Sequence, residues 1–294
     1  MTFSIVARSR DGRWGVGVAS KYLAAPSAVA AARAGVGALA TQAWCNLAWR
    51  PLGLARLQAG LSADRVVAEL TAADPQRDQR QLGLVAGTGP GVTYTGAGCM
   101  DWAGGVAGGS EPGEQGEAYA IQGNILTGPD VVEAMQRAWL SGDADTPLAH
   151  RLLQVLQAGD AAGGDRRGRQ SAGLFVVSTA RREANQAEFG TEVAPDDEVD
   201  LRVDDHRDPM AELARLVALH DLYNAPSDPR TWLPVEGDLA REIDGHLQRL
   251  GYPPSPDGLS AWAGVENFEN RLHVGVIEPV LLDHLRGAAA DASG

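Results

Sequence analysis

Apolar and polar residues alternate from the first positions of the chain. Thr2-Phe3-Ser4-Ile5-Val6-Ala7-Arg8 has the period of two of a half-buried strand. Asp11-Gly12 is a turn signal, and Trp14-Gly15-Val16-Gly17-Val18-Ala19 reads as a second strand, so a hairpin is predicted at the very start. After an alanine-rich stretch, residues 34–42 read as a buried third strand whose glycines permit close backbone approach. Residues 51–60 and 62–73 have helical spacing, the second with Ser62 as N-cap and Val66, Val67 and Leu70 on one face. Strands over 81–86 and 92–96 flank a Gly-Pro turn, and 104–117, rich in glycine and acid, is expected to be a mobile loop. A strand over 118–124 precedes helices starting at Pro129 and Pro147, and the polar loop 163–172 leads into a strand over 173–177. Acidic residues 192–200 read as an exposed loop, 199–203 as a last strand, and 210–223 as an amphipathic helix. Strands, two helices, strands, two helices, strands: this order suits an antiparallel sandwich covered by helices, not the alternation of a doubly wound nucleotide fold.

The remainder divides into a linker at 225–234, a small helical module at 235–286 broken by Pro253-Pro254-Ser255-Pro256, and a tail from 287 to 294 expected to be disordered. The first domain is thus placed at 1–224. At 294 residues a substantial core is available, and a net charge of -13 argues against a nucleic-acid partner. No apolar run approaches the ~20 residues of a membrane span, and no secretory signal pattern opens the chain, so no membrane partner and a cytoplasmic location are expected.

Candidate chemistry begins at Thr2. Removal of Met1 would give a threonine whose own α-amine, titrating near ~8, can serve as base to its hydroxyl. Lys21 is the single lysine among 25 basic residues and follows the second strand directly, where a compact cation could favour the charged form of a neighbouring hydroxyl. The loop at 163–171 gathers Asp165, Arg166, Arg167, Gln170 and Ser171, and reads either as a solvated turn or as a substrate anchor gripping a carboxylate. Asn124, after Gly123, could face an oxyanion or be a plain turn residue. All six histidines lie in the second half and no Gly-x-Ser-x-Gly elbow occurs, which disfavours a serine–histidine triad. Asp204-Asp205-His206 lacks a helical ligand pair, the glycine clusters match no phosphate-binding loop, and Cys45 and Cys99 fit neither a disulfide framework nor a zinc pattern. No metal and no cofactor are expected.

Several motifs in order resemble a known family. They are the opening Met1–Arg8 segment, Val18-Ala19-Ser20-Lys21, Ala34-Gly35-Val36-Gly37-Ala38 with Thr41-Gln42-Ala43, Thr95-Gly96 with Cys99 and Trp102-Ala103-Gly104, Gln122-Gly123-Asn124, and Gly163-Gly164-Asp165-Arg166-Arg167-Gly168. Together, over residues 1 to about 222, they resemble domain-of-unknown-function family 1028, which looks like a branch of the N-terminal nucleophile (Ntn) hydrolases. The resemblance implies a four-layer αββα sandwich, Thr2 as nucleophile, and Lys21 or Arg33 as its supporting basic residue. It further implies Gly123 and Asn124 as oxyanion or positioning residues, with Asp165 and Ser171 near the terminal amine. Residues 235–286 more loosely resemble a peptidoglycan-binding-like segment, through Leu259-Ser260-Ala261-Trp262, Gly264-Val265-Glu266-Asn267 and Ile277-Glu278-Pro279. The expected activity is hydrolysis of a small amide or peptide-like substrate. The alternative is a non-catalytic binder of an acidic metabolite or peptide on the same scaffold, and either could act as a homo-oligomer.

Overall fold

The computed structural model describes residues 2–191, 194–225 and 227–292. The chain forms two compact units, residues 1–217 and 218–294. Strands of the first unit are β1 (Thr2–Arg8), β2 (Arg13–Ser20), β3 (Ala30–Arg33), β4 (Gly37–Ala43), β5 (Arg80–Ala86), β6 (Val92–Thr95), β7 (Gly104–Gly109), β8 (Ala118–Asn124), β9 (Ser171–Ser178) and β10 (Asp197–Val203). Its helices are α1 (Ala25–Val29), α2 (Trp49–Gln58), α3 (Ala63–Ala72), α4 (Asp130–Ser141), α5 (Leu148–Ala161), α6 (Thr179–Phe189) and the first part of α7, which spans Pro209–Asn224. Two antiparallel sheets result, one ordered β10-β9-β2-β1-β8-β7 and the other β3-β4-β5-β6.

Period-two alternation divides each strand between two cores. Phe3, Ile5 and Ala7 of β1 pack with Val131 and Met135 of α4 and with Leu152 and Leu156 of α5. The opposite face of β1 presents Val6, which joins Val16 and Val18 of β2 against Ala38, Ala40 and Val85 of the second sheet. Alanine at 38 and 40 lets the sheets approach closely. Leu39, Leu82 and Leu84 face the other way, onto Trp49, Leu54 and Leu57 of α2 and Val66 and Leu70 of α3. Each fully buried leucine of this kind contributes roughly 2 kcal/mol of apolar transfer energy.

One end of β1 is closed by charge. Arg8 is only 2% exposed, and its guanidinium donates to the carbonyls of Gly116, Ala86 and Gly89 and to Ser110 Oγ. Burial pushes its pKa down, yet arginine remains a cation, and the carbonyl cage satisfies it. These bonds tie down the segment expected to be a mobile loop. Its first part, Gly104–Gly109, is strand β7, paired to β8. Bare backbone suits the position, since a Cβ at Gly105 would lie 2.7 Å from the Ile121 carbonyl oxygen.

Other departures from the sequence reading have similar local causes. The third strand is a hairpin, β3 paired with β4. Helix α6 was not foreseen because its sequence lacks an apolar stripe, Asn185 being its one buried residue; Ser178 caps it by accepting from the Arg181 N–H. β10 begins at Asp197, inside the stretch read as an acidic loop. Glu192 and Val193 of that loop lie outside the described residues.

The second unit has helices α8 (Gly237–Arg249), α9 (Pro256–Val265) and α10 (Pro279–Asp291) and a small sheet of β11 (Leu233–Pro234), β12 (Leu272–His273) and β13 (Val276–Ile277). Within 225–234, expected to be linker, Leu233 and Pro234 pair with Ile277 and Val276. The tail expected to be disordered continues α10 to Asp291, because Leu285 and Ala289 are buried. Trp262 and Phe268 centre the core. Buried Glu278 accepts from Arg271 at 2.5 Å and pairs with His273 at 2.9 Å. Burial works to raise the Glu278 pKa, but hydrogen bonds from His273, Ser227 and Arg271 outweigh it and hold the carboxyl below its ordinary 4.5.

A carboxylate so depressed adds stability above its unfolded pKa and loses it as pH falls through the lower folded value. Hydrogen-exchange protection of residues 272–285 is therefore expected to fall as pH drops below about 4.5, from the unfolded-state titration downward. The loss should be blunted in Glu278→Gln; unchanged protection factors between neutral and acid pH in the wild type would contradict this.

Candidate functional site

The end of the sandwich opposite Arg8 holds Thr2. Its strand lies in the middle of the six-stranded sheet, opposite Asn124 of β8 and beside the end of β2. Thr2 is 5% exposed, and its Oγ1 lies 3.1 Å from the Oγ of buried Ser20. The alternation that sends Phe3 to the helices sends Thr2, Ser4 and Val6 toward the second sheet.

At this end the space between the sheets is polar. Gln42 of β4 donates to the Thr2 carbonyl at 3.1 Å and to Gln81 Oε1 at 2.8 Å. Ser4 Oγ donates to Gln42 Oε1 at 2.7 Å and accepts from Gln122 Nε2 at 2.6 Å. Asn124 Nδ2 donates to Gln81 Oε1 at 2.9 Å, while Gln81 Nε2 donates to the Gly123 carbonyl at 2.7 Å. All of these groups are buried. Gln122 Oε1 has no partner among the described residues and presses on Gly83, where a Cβ would lie 2.0 Å from it.

Beside Ser20 opens a cavity of about 210 Å³, with Phe3, Ala19 and Met210 as apolar wall and Ser20, Asp165 and Ser171 as polar wall. Asp165 is a structural pin within the loop at 163–171. It accepts from the backbone N–H groups of Lys21 and Arg167, each at 2.9 Å, and is ion-paired with the Arg167 guanidinium at 3.2 Å. The bridge between Leu126 and Asp165 and the bond from the Arg166 N–H to the Ile125 carbonyl bind this loop to the turn after Asn124. Ser171 Oγ donates to the Tyr22 carbonyl at 2.7 Å, and Gln170 Nε2 donates to Asp205 at 3.1 Å.

The residues singled out from sequence thus fall into groups. Thr2, Gly123 and Asn124 share one strand pair, and Asp165 and Ser171 line the neighbouring cavity. Lys21 Nζ donates to the Arg169 carbonyl at 3.2 Å, on the rim of an open groove. Arg166 is exposed, and Arg167 is engaged by Asp165. Arg33 is at the other end. It pairs with Gly37, roughly 16 Å along β4 from Gln42 at the usual strand rise, and its guanidinium meets Gln58.

Sequence reasoning missed Ser20, Ser4, Gln42, Gln81 and Gln122 as site residues. The available signal was a polar amide or hydroxyl at inward positions of otherwise apolar strands. Neither cysteine competes as nucleophile, since burial raises both thiol pKa values and suppresses the thiolate. Loops at this end carry exposed Tyr22, Leu23, Trp44, Leu47 and Met100. Among the described residues no group of three or more His, Cys, Asp or Glu is placed to hold a metal ion, and no helix is long and apolar enough to cross a membrane.

Comparison with known proteins gives the class of the chain. The model of a family of unknown function (DUF1028) matches residues 2–213, and that of a peptidoglycan-binding-like domain matches residues 225–285. This chain belongs to the DUF1028 family, as its ordered motifs had suggested. A crystal structure of protein SPO2555 from Silicibacter pomeroyi, assigned to the same family model, is similar with a TM-score of 0.62 at 25% identity, over 82% of this chain and 92% of that one. No curated protein matches the chain.

The amide network has a measurable worth. Gln81→Leu would leave Asn124 Nδ2 and the Gly123 carbonyl without their partner and remove one acceptor from Gln42. Loss of about 3 kcal/mol or more in urea unfolding is expected, given ~1–3 kcal/mol for each buried group orphaned. A variant as stable as wild type would show that the network is not what joins the sheets.

Proposed function

We propose that the first unit is an amidohydrolase of the N-terminal nucleophile type, acting on a small amide or peptide-like substrate through Thr2. The observation that carries the reading is the place of Thr2: a buried hydroxyl on a central strand, 3.1 Å from Ser20 Oγ, with a cavity opening beside Ser20. A residue at the edge of a chain is commonly frayed, whereas this one is fixed by its backbone carbonyl bond to Gln42 and by pairing with Asn124. The succession of cores, helix to sheet, sheet to sheet and sheet to helix, supports a four-layer αββα sandwich.

In this mechanism Met1, which lies outside the described residues, is first removed. The freed α-amine takes the Thr2 hydroxyl proton as Oγ1 attacks the substrate carbonyl. Ser20 orients Oγ1, and Asn124, held by Gln81, stands across the strand pair as an oxyanion or positioning group. The ammonium returns its proton to the leaving amine as the C–N bond breaks, leaving an ester on Thr2. Water, deprotonated by the same amine, cleaves that ester and releases the acid. The exposed apolar side chains on the surrounding loops offer a surface to a non-polar part of the substrate. Asp165 and Ser171 support the cavity wall, and the α-amine serves as base without Lys21 or Arg33.

One observation favours a second reading, that of a non-catalytic binder of an acidic metabolite or peptide. The Lys21 ammonium is turned to the Arg169 carbonyl, and Arg33 is remote, so neither expected cation serves Thr2.

The two readings separate experimentally. Intact-mass measurement should show loss of Met1 and stoichiometric acylation of Thr2 by a β-lactone. Thr2→Ala should abolish the adduct and lower amide hydrolysis by about four orders of magnitude or more, the usual scale for a lost nucleophile. A Thr2→Ala protein that hydrolyses a substrate at the wild-type rate would exclude Thr2 as nucleophile; ligand-induced stabilisation without turnover would favour the binder.

A further inference from the structure

The cavity beside Ser20 and the open groove next to it share two residues, Arg169 and Arg207. The groove, of about 560 Å³, adds Lys21, Gln170, Asp205 and His206. Its cations outnumber its single carboxylate in a chain whose net charge is -13. A local excess of this sign in an acidic protein is a selection for anions.

Three of the charged groups at this wall already have partners. Arg169 is paired with Asp160 at 2.6 Å, the Asp165 carboxylate is occupied by Arg167 and two backbone N–H groups, and Asp205 accepts from Gln170. Among the described residues Arg207 has neither an ion pair nor a side-chain hydrogen bond, and the Lys21 ammonium has only the Arg169 carbonyl. Arg207 sits on the segment between β10 and α7, outside the loop from which an anchoring arginine was expected. A guanidinium presents its N–H groups in a planar fork that matches a carboxylate. The cavity that Arg207 borders is small, below the ~300–1,000 Å³ typical of sites for drug-sized ligands, so it suits a compact group.

We propose that the substrate of this site is a small amide bearing its own carboxylate, which Arg207 grips at the shared wall of cavity and groove while Lys21 adds attraction from the groove. Phe3, Ala19 and Met210, the apolar wall of the cavity, then cover the short apolar segment that leads from that carboxylate toward Ser20. Arg166 and Arg167 are not the anchors; the first is exposed away from the cavity lining, and the second is consumed by Asp165. This inference rests on Thr2 being the nucleophile only for the chemistry, not for the binding.

The test uses two matched β-lactones, one carrying a free carboxylate and the other its methyl ester, with Thr2 acylation in the full chain followed by intact mass. The carboxylate is expected to label at least about tenfold faster, the scale of one charge-assisted contact, with the advantage shrinking at high salt. The rate ratio should fall toward one in Arg207→Gln and recover in part in Arg207→Lys. Equal labelling by both probes, or a ratio unaffected by Arg207→Gln, overturns the proposal and leaves the Thr2 mechanism standing. If neither probe labels, the nucleophile reading fails, and binding decides the rest. The Thr2→Ala protein should then gain thermal stability from N-acetyl-β-alanine and not from its neutral methyl ester, a difference abolished by adding Arg207→Gln. No difference between the two compounds overturns the proposal.

Discussion

Amide side chains buried between two sheets must take their partners from inside the protein, and in this chain, Gln122 Oε1 apart, that requirement fixes where the sheets meet. Gln42 and Gln81 reach from one sheet to Thr2, Asn124 and the Gly123 carbonyl of the other, while Gln122 reaches Ser4. An apolar interface of alanines and valines, such as that around Val6, Ala38 and Val85, tolerates small slides. Directional bonds in low dielectric do not, because each lost bond exposes its partner to an uncompensated desolvation cost. The polar half of the interface therefore sets position, and the apolar half supplies most of the burial.

The same division explains the two ends of the sandwich. At one end a single permanent cation, Arg8, gathers three carbonyls and closes the turns around it. At the other end neutral amides hold the first strand without placing a formal charge against Thr2. Under the proposed mechanism such surroundings would suit a hydroxyl that passes its proton to its own amine, since a nearby fixed cation would depress the amine's basicity. Beyond Ser20 the cavity is bordered by charges of both signs, Asp160 and Asp165 with Arg169 and Arg207.

Much of the architecture was legible in the chain because it depends on local periodicity. The hairpin of β1 and β2, the helix pairs and the strand at 118–124 follow from spacing and turn chemistry alone. Glycine-rich β7 was not legible, since a strand without side chains has no alternation to read, and polar α6 lacks the apolar stripe that marks a helix. At the candidate site, Thr2, Gly123, Asn124, Asp165 and Ser171 were singled out by chemistry and motif, and the fold puts the first three on one strand pair and the last two on the neighbouring cavity. Which cation would stand where was not, because a side chain's partner across the fold is set by long-range register. Lys21 faces outward, Arg33 on β3 lies across from the far end of β4, and Arg207 arrives from a segment that carried no signal beyond its charge.

The register of β1 carries a consequence for how this sequence can vary. Its seven residues alternate between two incompatible environments, with Phe3, Ile5 and Ala7 against helices and Thr2, Ser4, Val6 and Arg8 toward the second sheet. Substitutions along it change one contact at a time. A single insertion or deletion between Phe3 and Arg8 would exchange the two sets over part of the strand, separating the hydroxyl end from the guanidinium end by the wrong number of residues. For this strand, length is a harder constraint than composition, and the distance between Thr2 and Arg8 is the ruler by which the two ends of the protein are kept in step.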